Sequence, residues 1–275
     1  MESKTKNRKT REEIEALVQR AFAGLGLAAG DEAIVELKQG WFNAAYVLRL
    51  ADGREVVLKI APPAGAEILQ YERNIMATEI AAMRLVRQNP AIPVPEIYFY
   101  DDTHDLSDAA YFFMAKVEGD SLARVKADLP QETQAVLERQ IGAIIREVNT
   151  FPGSYFGLEG NPDLRADNWK GAFIKLIEAV LADAAAKDVA FDYSYDALRA
   201  AIHKHASALA EITAPCLVHW DAWDPNFFVK DGQINGIIDF ERAMWAEPLM
   251  EAQFRQLFGP STEAMRGRAM RESTQ

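Results

Sequence analysis

The sequence predicts an α+β protein of two lobes, with a small antiparallel sheet in the N-terminal lobe and mainly helices in the C-terminal lobe. Two Asp-Gly pairs, Asp52-Gly53 and Asp231-Gly232, each lie between short apolar runs, which is a strong signal for a tight hairpin. The C-terminal half also carries long segments with apolar residues at helical spacing. With 275 residues, 49% of them apolar, the chain can bury a substantial core and allows two lobes.

Each element is predicted from its local pattern. Residues 1–10 are basic and polar and are predicted to be disordered, whereas residues 11–29 predict an amphipathic helix. Strands are predicted within residues 34–60, where Asp52-Gly53 forms the turn of a hairpin. The remaining elements are a helix over 67–88, a Pro-broken loop over 89–95, strands over 96–100 and 110–116 flanking an acidic turn, helices over 131–149, 169–187 and 195–209, and a hairpin of 227–229 and 234–238.

Three oxygen-bearing side chains of the C-terminal half are predicted to meet at one point. Asp221 and Asn226 have the Asp-x-x-x-x-Asn spacing of a phosphotransfer catalytic loop. The hairpin that follows folds back on itself, so it returns Asp239 to the neighbourhood of Asn226. Asp and Asn are also common turn residues, so each one alone predicts little. Their joint spacing predicts a carboxylate beside an attacking hydroxyl and two oxygen ligands for Mg²⁺.

Lys59 lies far upstream, inside the apolar strand segment 56–60. A buried ammonium needs an anion, because burying it unpaired is costly. In kinases a strand lysine holds the nucleotide phosphates and is fixed by a glutamate on the next helix. Glu72 and Glu79 lie on similar faces of the predicted helix and are the two candidates. The alternative for Lys59 is an edge-strand lysine that faces water.

The chain resembles the aminoglycoside phosphotransferase-like kinases, a family of small-molecule kinases with a two-lobed protein-kinase-like fold. The resemblance covers most of the chain and rests on Gly40–Tyr46, Val57–Lys59, Thr78–Ile80, Ile92–Pro95, Phe112–Met114, Gly119, His219–Asn226 and Ile238–Phe240. It implies a nucleotide-binding lobe over residues 1–115, which includes the N-terminal helix. It also implies a catalytic and acceptor-binding lobe over residues 116–275.

The resemblance implies a role for each matching residue. Asp221 is implied to be the catalytic carboxylate, and Asn226 and Asp239 are implied to be the Mg²⁺ ligands. Lys59 is implied to bind the phosphates of ATP or GTP, with Glu79 rather than Glu72 as its partner. The other implied cofactor contacts are the loop residues Gly40 and Asn43 and the hinge residues Ala115 and Val117. His219 is implied to order the catalytic loop.

The implied function is ATP- or GTP-dependent phosphorylation of a hydroxyl on a small molecule, such as an aminoglycoside, an amino alcohol or a sugar. The chain ends at Gln275 in an Arg-rich segment, where relatives usually continue into further helices. We therefore expect a less complete acceptor site, and the alternative is a nucleotide-binding pseudoenzyme or an inactive truncated fragment.

Composition narrows the class of partner. The net charge of −11 argues against nucleic acid or an anionic membrane and is compatible with a cationic acceptor. The acidic residues Asp163, Asp167, Asp183 and Glu241 could recognise amines or could be solvated. The single Cys216 cannot form an internal disulfide and fits a reducing cytoplasm, and no segment approaches the ~20 apolar residues of a spanning helix. We therefore expect a cytoplasmic enzyme without a signal peptide, whose oligomeric state the sequence leaves open.

Overall fold

The chain divides into two compact units in a computed structural model that describes residues 5–38, 40 and 42–251. The first unit comprises Met1–Ile68 and Pro95–Val117, and the second comprises Leu69–Val94 and Glu118–Gln275. The sequence-based boundary between residues 115 and 116 stays a prediction. The observed division differs from it in grouping residues 69–94 with the second unit.

Among its described residues, the first unit is built on a five-stranded antiparallel sheet with the strand order β1-β2-β3-β5-β4. Its elements are α1 (Arg11–Ala21), β1 (Ile34–Glu36), β2 (Ala44–Arg49), β3 (Glu55–Ile60), β4 (Ile97–Asp101) and β5 (Tyr111–Ala115). The predicted hairpin is confirmed, because β2 and β3 pair from Arg49↔Glu55 to Ala44↔Ile60. Gly53 takes a φ of 87° in its turn, a conformation that glycine adopts without steric cost.

Helix α1 covers one side of this sheet. Its buried side chains Ile14, Leu17 and Val18 belong to the same apolar cluster as the inward-facing residues of β2, β3 and β5. The prediction that this helix continues to Ala29 was wrong. It ends at Ala21, and the left-handed backbone of Ala23 and Gly24 turns the chain away.

The prediction that residues 1–10 are disordered was wrong for the described residues 5–10. Asn7 donates from Nδ2 to Asp108 Oδ1 at 2.9 Å, and the Lys9 ammonium lies 2.5 Å from the same oxygen. The backbone N–H of Lys9 also donates to the Tyr46 hydroxyl at 3.1 Å. These partners lie far along the chain, so a local pattern could not show them. Residues 1–4 lie outside the described residues.

The second unit is mainly helical. Its elements are α2 (Ile75–Val86), β6 (Asp120–Ser121), α3 (Leu122–Val125), α4 (Gln131–Val148), β7 (Gly157–Leu158), α5 (Trp169–Ala186), α6 (Tyr195–His205), β8 (Cys216–Val218), β9 (Phe227–Lys230), β10 (Gln233–Ile237) and β11 (Met244–Ala246). Within the described residues, two small antiparallel sheets have the orders β10-β9-β6 and β7-β11-β8. No helix in the described part of the chain is both long and apolar enough to cross a membrane.

Two helix boundaries of the second unit differ from the sequence prediction. Helix α2 begins at Ile75 rather than at residue 67, because Asn74 has a left-handed backbone with φ 53°. Helix α6 ends at His205 rather than at Leu209, and a 3₁₀ helix continues from Ala206 to Glu211. The predicted helices α4 and α5 and the β9–β10 hairpin are confirmed.

Candidate active site

Asp221 and Asn226 lie in one short loop that leaves the buried strand β8. The loop closes with a 3₁₀ turn, Asp224–Asn226, in which Pro225 takes an early position. Asn226 donates from Nδ2 to the Asp221 backbone oxygen at 2.9 Å and to Asp221 Oδ2 at 3.1 Å. The structure therefore brings together the first two residues of the predicted constellation.

Asp239 follows β10, the second strand of the hairpin. The backbone N–H of Ile238 donates to the carbonyl oxygen of Asn226 at 3.0 Å, so the hairpin returns the chain to the catalytic loop as the sequence predicted. Asp239 itself has a left-handed backbone, with φ 70° and ψ 52°. That conformation costs a residue with a side chain roughly 1–2 kcal/mol, and strain of this kind clusters at functional sites.

His219 connects these two segments. It is fully buried, and its Nδ1 accepts the backbone N–H of Asp221 at 3.2 Å. Its Nε2 then carries the ring proton and donates to the Ile238 oxygen at 3.0 Å. The ring packs on Phe240 with centroids 4.3 Å apart. Both ring nitrogens are used in holding the loops, which fits an ordering role rather than a general base.

Glu251 is a site residue that sequence reasoning missed. Its carboxylate accepts the consecutive backbone N–H groups of His219 at 2.6 Å and Trp220 at 3.1 Å, and it accepts Asn149 Nδ2 at 3.4 Å. The side chain is fully buried, and burial raises its pKa to about 7 against the lowering effect of these donors. Trp220 needs such support because its φ is 59°, in the left-handed region. No local pattern around Glu251 indicates this role.

The environment of Asp221 makes it a better base than an ordinary carboxylate. Burial is the main cause that raises its pKa, to about 6, while the charge of Arg242 lowers it and that of Asp239 raises it. A base with a pKa near the operating pH can be ionised and still accept a proton with useful strength. The pKa shift therefore agrees with the role assigned from the spacing.

The residues around Asp239 fit a hard divalent cation. Glu79, Asp239 and Glu241 each offer a carboxylate oxygen, and these oxygens lie within 4.8 Å of one another. The backbone of Asn226 accepts the N–H of Ile238, the residue before Asp239. Mg²⁺ prefers oxygen ligands of this type and few protein ligands, since it keeps waters and substrate phosphates. The sequence predicts Glu79 only as the partner of Lys59 and Glu241 only as a possible amine contact, so a role of either residue as a metal ligand was missed.

The predicted nucleotide contacts lie mostly in the first unit. Lys59 is 7% exposed in β3, between its strand neighbours Ala45 and Phe112, and its ammonium lies 5.8 Å from the Phe112 ring. Its burial argues against an edge-strand lysine in water. Lys59 lies in the first unit and Glu79 in the second, and their pairing stays a prediction. Glu72 is used locally, where its Oε2 accepts the Leu69 N–H at 2.8 Å.

The remaining loop and hinge assignments also stay predictions. Gly40 is exposed and Asn43 is buried, while Gln39 and Trp41 lie outside the described residues. Ala115 ends β5, and its N–H donates to the Glu96 oxygen at 2.8 Å. That N–H is therefore engaged within the sheet, and Val117 follows it at the end of the unit.

The acidic residues suggested as amine contacts differ in their environment. Asp163 and Asp167 are exposed. Asp183 accepts the backbone N–H of Gln70 at 2.8 Å and its side-chain amide at 3.0 Å, so it holds the segment before α2. Glu241 is buried beside Asp239.

Comparison with known proteins gives matches of three kinds. A family profile described as the phosphotransferase enzyme family matches residues 33–253. Two subtelomeric hrmA-associated cluster proteins of Aspergillus fumigatus are each 31% identical over 125 residues, which is 45% of this chain. The match spans only 24% of those relatives' length.

Solved structures of aminoglycoside phosphotransferases share the fold. The apo form of a thermostable mutant of APH(4)-Ia has a TM-score of 0.62 and 20% identity, covering 94% of this chain and 82% of that one. The streptomycin–ATP–APH(2″)-IIa ternary complex has a TM-score of 0.61 and 14% identity, covering 94% and 86%. The chain therefore has the protein-kinase-like fold of these enzymes, with an antiparallel sheet in its N-terminal part.

Proposed function

The chain belongs to the phosphotransferase enzyme family, and from this we propose that it transfers the γ-phosphoryl group of ATP or GTP to a hydroxyl of a small molecule. The observation that carries the proposal is the junction of Asp221, Asn226 and Asp239. Three observations support it: Asn226 Nδ2 donates to Asp221, the backbone N–H of Ile238 donates to the backbone oxygen of Asn226, and the charge of Asp239 raises the pKa of Asp221.

Each residue of this junction has a separate task. Asp221 accepts or orients the proton of the attacking hydroxyl, and Asn226 fixes one of its oxygens. Asp239 and Asn226 would hold Mg²⁺, with Glu241 and Glu79 close enough to contribute. When bound, the metal neutralises charge on the nucleotide phosphates. The chain then acts by positioning and electrostatics, without a covalent intermediate.

The first unit would supply the nucleotide contacts. Lys59 carries the charge for the phosphates, and the buried position of its ammonium supports a role in binding an anion. Gly40 and Asn43 belong to the predicted phosphate-covering loop, and Ala115 and Val117 would present backbone groups to the base. ATP is the first donor to try, because APH(4)-Ia and APH(2″)-IIa were solved with ADP, AMP-PNP or ATP.

The acceptor is proposed only as a class. The related structures hold hygromycin B or streptomycin, which supports a small molecule rich in hydroxyl groups. An aminoglycoside, an amino alcohol and a sugar all fit that description.

The test is a nucleotide-turnover screen of the full chain with ATP and GTP against a panel of these acceptors. Wild-type protein should phosphorylate at least one acceptor in a Mg²⁺-dependent reaction. Asp221→Asn should lower the rate by about 10²–10⁴-fold, the scale of a lost general base, and leave nucleotide binding nearly intact. Asp192→Asn, which changes an exposed acidic residue with no proposed role, serves as the control and should keep the wild-type rate. Nucleotide binding without turnover on any acceptor would favour a pseudoenzyme instead.

A further inference from the structure

Arg242 is a charged residue of the second unit that the proposed reaction does not use. It ends the 3₁₀ turn Phe240–Arg242, directly after Asp239, and is half-buried. Its guanidinium carbon lies 5.8 Å from the centre of the Tyr71 ring. The Tyr71 ring contacts that of Trp220 edge-on at 6.1 Å, and Trp220 directly precedes Asp221. Ring contacts therefore connect Arg242 through Tyr71 to Trp220, the residue that directly precedes Asp221.

Among the described residues, none accepts a hydrogen bond from the Arg242 guanidinium. In the described part of the chain, its guanidinium has the Tyr71 ring contact but no hydrogen bond and no ion pair within 4.0 Å. Two other arginines of the second unit differ, because Arg165 donates to the Leu158 oxygen at 2.8 Å and Arg199 donates to Glu178 at 2.8 Å. A guanidinium carries five donors in a planar fork that matches a carboxylate or phosphate.

Nearby carboxylates act on Arg242 without an ion pair among the described residues. Burial lowers the pKa of Arg242, but Tyr71 and then the charges of Asp221, Glu241 and Glu72 outweigh this and keep the pKa above the usual value. Arg242 therefore stays a cation. It does not pair directly with Asp221, so the carboxylate remains available to the hydroxyl and the guanidinium remains available to a second group of the same substrate.

The charge of Arg242 is close enough to Asp221 to lower its pKa, and a cation at that range can select the charge of the acceptor. Two unit charges about 6 Å apart interact by roughly 3 kcal/mol at an effective dielectric of about 20, which corresponds to more than a hundredfold in binding. An ammonium group of an acceptor would be repelled by Arg242, and an oxyanion would be attracted. The net charge of −11 is a property of the whole chain and does not decide this local interaction.

We propose that Arg242, packed on Tyr71, forms a subsite for an oxyanion of the acceptor, so that the substrate is a hydroxyl compound that also carries a carboxylate or a phosphate. This inference rests on the proposed function and narrows its acceptor class, because it favours a sugar or another polyol that carries an oxyanion over an aminoglycoside or an amino alcohol. Arg242 is a specificity-determining residue in this arrangement, and Tyr71 holds it through the cation–π contact.

The test uses four polyols that share the C2–C6 hydroxyls of glucitol and differ only at C1: gluconate, glucitol 1-phosphate, glucitol and 1-amino-1-deoxyglucitol. The ratio kcat/KM is measured for each with ATP and Mg²⁺. Dissociation constants are measured in parallel by calorimetry on the protein loaded with a non-hydrolysable ATP analogue. Wild-type protein should prefer one of the two anionic polyols to neutral glucitol by at least about tenfold, and the cationic polyol should be the weakest. The preferred anion identifies the source of the oxyanion.

Variants separate the subsite from a general effect on folding or nucleotide binding. Arg242→Gln should remove the preference, so that the ratio of kcat/KM for the preferred anionic polyol to that for glucitol falls to about one. Arg242→Lys should keep part of the preference, because it keeps the charge but loses the planar fork. Arg199→Gln removes an arginine whose partner is Glu178 and should leave the preference unchanged.

Several outcomes would overturn the subsite. One is a wild-type preference for glucitol or the cationic polyol in both kcat/KM and binding. Another is an equal loss for all four polyols in Arg242→Gln, or a raised KM for ATP, since either result would place Arg242 in the nucleotide site or the fold. If the anions bind selectively through Arg242 but no acceptor is phosphorylated, the proposed function fails and the subsite stands.

Discussion

The two units place their charged functional residues in different ways. In the first unit, Lys59 lies in the middle of a regular strand, and its neighbours Ala45 and Phe112 follow from the antiparallel register. In the second unit, Asp221 and Asp239 lie in loops, next to or within left-handed backbone at Trp220 and Asp239. In a strand, the regular hydrogen-bonded backbone sets the direction of each side chain. In these loops, each strained residue needs its own hydrogen-bonding partner.

The supports in the second unit are themselves buried polar groups. Glu251 holds the N–H groups of His219 and Trp220, and the His219 ring holds the Asp221 N–H and the Ile238 oxygen. A fully satisfied buried network is rigid, but losing one member leaves unpaired donors in a low-dielectric interior. We therefore expect variants of this network to lower turnover strongly. Variants of the partly exposed ion pairs in the first unit should change only the free energy of unfolding, and by little.

After Asp221, the largest effect is expected at Asp239. Asp239→Ala removes a carboxylate from the cluster with Glu79 and Glu241, and turnover should fall by about 10²–10³-fold, the scale of losing one preorganised electrostatic group. Nucleotide titration with and without Mg²⁺ should show that the metal no longer raises affinity. An unchanged Mg²⁺ dependence would exclude Asp239 as a ligand.

Glu251→Gln tests the support rather than the reacting group. An amide has a single acceptor oxygen for the two backbone donors, so we expect kcat to fall by about 10–100-fold, as when a residue that orients a ligand is lost. The KM for nucleotide should stay close to wild type. Glu211→Gln, at an exposed position, is the control. Equal changes in kcat and in nucleotide KM would indicate general damage to the fold.

The same variant, Glu251→Gln, tests the raised pKa of Glu251 through the pH dependence of the free energy of unfolding. The Glu251 carboxyl keeps its proton up to a pH of about 7 in the folded protein, because burial raises its pKa from 4.5. The folded state then binds more protons than the unfolded state between these values, so this group's contribution to the free energy of unfolding falls as pH rises from about 4.5 to 7. Denaturant titrations should show wild type losing stability relative to Glu251→Gln over that interval. A constant difference would contradict the raised pKa.

A smaller effect is expected from the helix glutamates. Glu79 is fully buried on α2, whereas Glu72 accepts the Leu69 N–H in the preceding turn. Turnover should fall about tenfold or more in Glu79→Gln, because the buried cluster of Glu79, Asp239 and Glu241 loses a charge, and by less than about twofold in Glu72→Gln. The reverse order would refute the choice of Glu79 as the functional glutamate.

The smallest effect is expected in the first unit, at Lys9. Its ion pair with Asp108 is partly exposed, so Lys9→Ala should lower the free energy of unfolding by roughly 0.2–1 kcal/mol at pH 7. Hydrogen bonds from Lys9 and then Asn7 hold the pKa of Asp108 below its usual value, so this stabilisation should disappear as the pH falls through that lowered pKa. Lys116→Ala removes the more exposed pair with Glu55 and is the matched control, so it should lower the free energy of unfolding by no more than Lys9→Ala does. A loss of turnover in Lys9→Ala would contradict a purely stabilising role for this ion pair.

Sequence reasoning succeeded where local patterns are strong. The Asp-Gly turns, the apolar alternation of β2 and β3, and the Asp221–Asn226 spacing all depend on residues a few positions apart. It failed at Asn74, where a left-handed asparagine delays α2, and at Thr5–Thr10, which contact residues far along the chain. Those outcomes depend on tertiary partners, which can override local propensity.

The sequence by itself predicted the fold class and the family, and it predicted that Asp221 and Asn226 share a loop followed by a hairpin, because spacing and turn residues are local properties of the chain. Only the tertiary structure decided what supports and surrounds that junction. Glu251 holds a loop about thirty residues away, and Arg242 lies against the Tyr71 ring from a distant segment. Buried polar groups need hydrogen-bonding partners, and these partners come from residues that are close only in the folded chain. No periodicity along the sequence indicates which residues they are.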